Sequence, residues 1–254
     1  MQITSTRVTG SLAIASIAVL SLMLPSCATA PMSEGTGTCP SAPLMSAVYL
    51  DVTGSSYTGT IADEYAAAVG RVASRTSACS GTLHVATFGE TSGQVLTLID
   101  QSFQVDAPTE NAVRRKQQKL ASDIADEVKD KLAGAASNTP TAATDIVGLL
   151  RLTAEARAQL PDAAHEVFVF TDGFTNVGVD PAAASSVAAA VQLAEQVTVP
   201  DLAGSALTFA GIGRTATPVP SAVVEQVAAF WERVCERTQA DSCTVATQWQ
   251  GGLS

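Results

Sequence analysis

Val48-Tyr49-Leu50-Asp51-Val52-Thr53-Gly54-Ser55-Ser56 is the stretch that decides the fold. A short apolar run suited to a buried strand ends on one carboxylate, and three hydroxyl side chains and a glycine follow at once. The apolar run predicts a strand and the Gly-Ser cluster breaks it. Asp51 therefore belongs at the carboxyl end of a strand, with Thr53 and Ser55 in the loop beyond. In open α/β sheets that edge is where ligands bind. Oxygen ligands on alternate residues of one tight loop can converge on a hard cation such as Mg2+. A plain polar turn would read the same way, so the rest of the chain has to choose.

A second stretch repeats the pattern. Val167-Phe168-Val169-Phe170 is a continuous apolar run, as in a strand buried on both faces, and it leads into Thr171-Asp172-Gly173. Around these two, strands are predicted over 46–50, 83–88, 95–99, 166–171, 206–212 and 243–249, the last at an edge. Helical spacing runs over 61–76, 109–132, 144–160, 182–197 and 221–237, with a loop over 133–141. Ile61, Tyr65, Ala68, Val69 and Val72 form one apolar stripe on the first helix. The second carries all four lysines of the chain and reads as a solvated helix with one buried face, Val113, Leu120, Ile124, Val128 and Leu132. Thr144 or Asp145 stands near the cap of the third. Residues 89–93 are a hairpin-length connection, which makes the strands on either side antiparallel. The expected fold class is α/β: a doubly wound, mostly parallel central sheet of about six strands flanked by helices.

Length and composition agree. A chain of 254 residues, 46% hydrophobic and 15% charged, suits one good-sized domain with a packed core. Net charge is −10, and every Asp and Glu lies beyond residue 33. That balance excludes nucleic acid and anionic membrane as main partners and favours a cation.

The first 27 residues read as an export signal, with Arg7 the only charge and an apolar run over 12–24. Leu24-Pro25-Ser26-Cys27 resembles a bacterial lipobox, which would place a lipid on Cys27. Ala28-Thr29-Ala30 offers a competing cleavage site that would release the protein instead. Residues 28–43, rich in Gly, Ser, Thr and Pro, are then a tether, and 44–254 the domain. Without Cys27 four cysteines remain, Cys39, Cys79, Cys235 and Cys243, an even number that implies disulfides in an exported chain. Three connectivities are open. Proximity favours Cys235–Cys243, leaving Cys39–Cys79.

Asp51 and Asp172 stand at the exits of two strands, and Thr144 opens a helix after a loop. With Thr53 and Ser55 they make an all-oxygen set, suited to Mg2+, Mn2+ or Ca2+ rather than to Zn2+ or Cu2+. Asp-Val-Thr-Gly-Ser at 51–55, Thr-Asp-Ile-Val-Gly-Leu-Leu at 144–150 and Val-Phe-Thr-Asp-Gly at 169–173 resemble, in order, the three motifs of von Willebrand factor A domains. Gly211-Ile212-Gly213 is similar to that family's fifth strand exit. The resemblance spans roughly 44–250. It implies a metal-ion-dependent adhesion site on a doubly wound sheet, in which Ser55 and Thr53 bind the metal directly. Thr144 would bind directly or through water, and Asp51 and Asp172 largely through water. Thr53 stands where the family pattern has Ser, and Thr141 is a second candidate for the distal threonine. The implied work is binding, with a partner carboxylate completing the metal's shell, and not turnover.

Other readings are weaker. Asp-Val-Thr-Gly-Ser is also close to the loop of haloacid-dehalogenase-like phosphotransferases, with Asp51 as nucleophile. That chemistry wants a lysine and a further acidic pair near the phosphoryl group. All four lysines lie in one distant helix, and Arg214, the nearest basic candidate, reads as a surface residue. A metal-independent scaffold in an envelope assembly is the other alternative. His84 and His165 lie in or beside strands and read as structural, and Trp231 and Trp249 as core or edge packing.

Overall fold

β1 (Leu44–Asp51) lies inside the sheet, and its side chains alternate between two buried faces. Val48 and Leu50 turn to one hydrophobic layer and Tyr49 to the other. β4 (Ala164–Phe170), its parallel neighbour, does the same, with Phe168 and Phe170 on the first side and Val167 and Val169 on the second. Strands buried on both faces read as continuous apolar runs, which is why these two segments were legible.

The computed structural model describes residues 38–248 apart from 59, 92–93 and 140–142. The chain divides into Met1–Ser33 and Glu34–Ser254, and every described residue belongs to the second unit. The export signal, Cys27, the competing site at Ala30, Thr141 and Trp249 lie outside the described residues. The remaining elements are α1 (Ile61–Ala78), β2 (Thr82–Phe88), β3 (Leu96–Ser102), α2 (Glu110–Asn138), α3 (Ile146–Gln159), α4 (Val187–Gln196), β5 (Ser205–Ala210), α5 (Ser221–Arg237) and β6 (Ser242–Ala246). The sheet runs β3-β2-β1-β4-β5-β6. All neighbours are parallel except β2 and β3, which form the expected antiparallel pair. The protein is thus a doubly wound α/β fold, a mostly parallel six-stranded sheet flanked by helices.

Helices α1 and α2 cover one face; α3, α4 and α5 cover the other. Because β3 runs backwards, α2 returns the chain to the carboxyl edge of the parallel strands. There the chain changes helical layers before α3 begins, and the Asp145 N–H donates to Gly89 O just past the end of β2. Strand order reverses between β1 and β4, so this edge is the topological switch point where such sheets bind ligands.

Several boundaries differ from expectation: β3 runs on to Ser102 and β6 stops at Ala246, and four further differences have a local reason. Helix α2 continues through 133–138, read from sequence as loop. Alanine has the best helix propensity, Ala135 buries itself beside Leu132, and Ser137, Asn138 and Thr139 side chains bond the last carbonyls. The helix expected over 182–197 is instead a 3-10 turn, Pro181–Ala183, followed by α4. Asp180 caps the turn, and Ser186, its hydroxyl accepting from Ala189 N–H, starts the helix anew. β5 ends at Ala210, two residues early, where the Gly211 and Ile212 N–H groups both turn to Ala246 O. Finally, α3 starts at Ile146, with Asp145 as its cap and Thr144 just outside.

Two disulfides form, Cys39–Cys79 and Cys235–Cys243. The first fastens residue 39 to the end of α1, where Arg75 also donates to Thr38 O and pairs with Glu166 of β4. Among the described residues no helix is long and apolar enough to cross a membrane. Loop-closure entropy makes the two bridges unequal. Cys79→Ser, opening a span of 40 residues, should cost about 4 kcal/mol, against about 2.5 kcal/mol for Cys243→Ser with a span of 8. Urea unfolding of the two variants checks the order.

Candidate functional site

The turn after β1 is closed by backbone bonds from Ser56 and Tyr57 N–H to Thr53 O, which leaves Gly54 and Ser55 at its exposed tip. Asp51, the last residue of β1, is fully buried. Its Oδ1 accepts from the Thr53 N–H at 3.0 Å and the Thr53 hydroxyl at 2.6 Å, and its Oδ2 accepts from the Thr171 hydroxyl at 2.6 Å. Thr144 Oγ1 donates in turn to Thr53 Oγ1 at 3.0 Å. An ionised carboxylate only accepts, so the hydroxyl protons of this chain point inward and lone pairs are left facing out.

Asp172 lies just past the end of β4, also fully buried. Its Oδ1 accepts from Phe174 N–H at 2.9 Å, but its Oδ2 accepts no hydrogen bond. The Ser55 hydroxyl approaches this carboxylate, enough to favour its charge, without completing a bond to Oδ2. Burial, then the charge of Asp51, pushes Asp172 from 3.8 up to about 7, against the pull of Phe174 N–H and Ser55. Burial raises Asp51 as well, opposed by its bonds to Thr171 and Thr53. Among the described residues neither acid has an ion pair.

The five residues singled out in the sequence therefore come to one edge. Asp51, Thr53 and Thr144 share one hydrogen-bonded chain, and Asp172 and Ser55 stand beside each other. Sequence reasoning missed the residues that hold them. Thr171 was visible only as part of a strand exit. Asn176, which gave no signal, accepts from Thr144 N–H at 2.9 Å. Tyr65 was read as core, and it is, yet its one hydroxyl proton is shared between Asp51 O at 3.0 Å and Phe170 O at 3.3 Å, and its oxygen meets Ser56 Oγ at 3.1 Å. It ties the exits of β1 and β4 together. Trp231, buried as expected, donates to Gly173 O at 2.8 Å and pins the next loop. His165 bonds Leu160 O, and His84 lies edge-on to Tyr49, both structural.

Among the described residues no three His, Cys, Asp or Glu side chains gather as a metal cluster. The donor set is instead two carboxylates and three hydroxyls, all hard oxygen. A buried pair of acids with one orphaned oxygen and no protein counter-ion fits a hard divalent cation. Two cavities of about 430 and 340 Å3, lined by Gln104, Lys116 and Lys119 and by Leu44, Thr82 and Leu160, lie at the opposite edge of the sheet.

No family model matches the chain, and no curated protein does. Solved structures do. A conserved hypothetical protein, BatB, of Bacteroides thetaiotaomicron is 10% identical over 81% of this chain and 90% of its own, with a TM-score of 0.40. The open conformation of the pilus adhesin SpaC of Lactobacillus rhamnosus GG gives 12%, 82%, 28% and 0.44. Manganese-loaded TRAP protein of Plasmodium vivax gives 14%, 84%, 71% and 0.41. Likeness at this level concerns shape and says nothing about activity.

Two outcomes follow from the geometry. Tyr65→Phe leaves two strand-exit carbonyls and Ser56 short of a partner and should destabilise the fold by about 1–3 kcal/mol in urea titration. Asp172 binds its proton more tightly folded than unfolded, so cation-free protein should lose stability as pH rises from 3.8 towards about 7 and level off above. Asp172→Asn should flatten that slope in melts recorded in EDTA.

Proposed function

We propose that this chain is an exported binding module whose carboxyl edge holds a divalent cation, Mg2+ or else Ca2+ or Mn2+. Through the cation it takes a carboxylate from a partner protein or surface ligand. The observation that carries this reading is Asp172 Oδ2, a buried acid oxygen with no hydrogen-bond partner, beside a second buried acid. Thr53, Thr144 and Ser55 would offer hydroxyl lone pairs. Asp51 would act from behind, drawing the proton of Thr53 inward so that its oxygen faces out. Asp172 would supply negative charge at the rim. A cation bound there supplies an electrophilic position that an incoming carboxylate completes.

The same details argue against turnover. A phosphoryl-transfer nucleophile must reach its substrate, whereas Asp51 is buried with both oxygens engaged. The four lysines sit on α2, with Lys119, Lys129 and Lys131 in ion pairs to Asp123, Asp63 and Glu127. Two disulfides suit an oxidising compartment outside the cytoplasm. Lipidation of Cys27 would hold the module at the cell envelope, and cleavage after Ala30 would secrete it. One observation favours the metal-independent scaffold: Asp51 is satisfied by protein donors alone. That reading requires indifference to EDTA.

Thermal melts of the purified protein separate the two. At a hundredfold excess over its dissociation constant the cation should stabilise by about 2.7 kcal/mol, a rise of roughly 5–10 °C. Asp51→Ala should abolish the response. Asp172→Asn should abolish it too while melting higher than the parent in EDTA at pH 8, because it removes a buried charge. No shift with millimolar Mg2+, Ca2+ or Mn2+ leaves the scaffold.

A further inference from the structure

The candidate site is in two parts. Asp51, Thr53, Thr144 and Thr171 are joined by side-chain hydrogen bonds, while Ser55 and Asp172 stand outside that chain. What reaches both of the outlying residues is the loop between β5 and α5. Gly213 N–H donates to Asp172 O at 2.8 Å, and Ala216 N–H donates to Ser55 O at 2.6 Å. Between those two bonds sits Arg214. Its Nη2 meets both carboxylate oxygens of Glu64, in the first turn of α1, at 2.8 and 2.7 Å. The loop is also fixed from the far side. Gly213 has φ +80°, and a β-carbon there would lie 2.4 Å from Val224 Cγ1 of α5.

We propose that the Arg214–Glu64 ion pair is a clasp that sets where Ser55 stands relative to Asp172, and thereby the cation affinity of the site. This rests on the cation-binding reading above. Neither residue is among those that would hold the cation; both are positioning residues. The pair is half exposed, and an ordinary surface ion pair adds little to stability. Its role here is geometric. It ties α1, which follows the Ser55 turn, to the loop that carries both backbone bonds. With the clasp intact, the exposed tip of that turn is held through Ala216. Without it, the loop that bonds the tip loses its tie to α1. Loss of a partner that orients metal ligands typically costs tenfold or more in affinity.

Charge alone predicts something different. Removing Arg214 takes a positive charge from near the site and should tighten cation binding; removing Glu64 should weaken it. The clasp requires both single changes to weaken it. The test is calorimetric titration of the purified protein with Mn2+, for the parent, Arg214→Ala, Glu64→Ala and the swapped pair Arg214→Glu with Glu64→Arg. Amide hydrogen exchange at Gly213 and Ala216 is followed in EDTA on the same four proteins. The expected result is a roughly tenfold weaker Kd in each single variant, recovery in the swapped pair, and faster exchange at Ala216 in the single variants only. Binding that tightens or stays unchanged in Arg214→Ala overturns the clasp while leaving the cation site standing. If the parent binds no cation, the cation reading falls and the affinity role with it. Exchange at Ala216 then decides whether the clasp holds the loop at all, and unchanged exchange would refute that as well.

Discussion

The carboxylate of Asp51 is the constraint on which the carboxyl edge of this protein depends. It is buried at the end of β1, and a charge in that position is tolerable only if both of its oxygens are directed to donors. Thr53 and Thr171 meet that demand from two different strand exits. Thr144 then bonds Thr53, so the amino end of α3 is drawn to the same point. Tyr65 closes the arrangement from below by bonding the backbone of both strands. One acid thus fixes β1, β4 and α3 at the switch point of the sheet.

Asp172 has no such provision. It sits on the neighbouring strand exit, near enough to Asp51 to feel its charge, with one oxygen bonded and the other orphaned. A fold selected for stability alone would place a neutral group there. The two acids stand in close company, one satisfied and one not, among hydroxyls that are all hard oxygen donors, and this is the chemistry on which the proposed cation site rests.

The sheet was readable because strands buried on both faces need unbroken apolar runs, and both 48–50 and 167–170 have them. The amphipathic stripe on α1 was equally plain, since 3.6-residue periodicity survives in sequence. Alanine-rich stretches were not. The residues 133–138 and 182–186 have similar composition, yet one extends a helix and the other interrupts one. The difference lies in Leu132 and Ala135 finding a buried neighbour, and in Asp180 and Ser186 bonding backbone N–H groups instead.

Residue types at strand exits are local information, so the fold class, the order of strands and helices, and the presence of oxygen-bearing side chains at the strand exits can be read from the chain alone. Their assembly is not local. Thr171 meets Asp51 across 120 residues, a distance that the parallel register of β1 with β4 closes, and Thr144 meets Thr53 across 91, where Gly89 and Asn176 hold the start of α3. Asn176, Tyr65 and the Arg214–Glu64 pair have no motif, because each acts through a backbone group or a partner far along the chain. Which donors face the buried acids, and which acid is left with an orphaned oxygen, was decided by the tertiary structure alone. Hydrogen bonds are satisfied in space, and the spacing of residues along a chain does not record them.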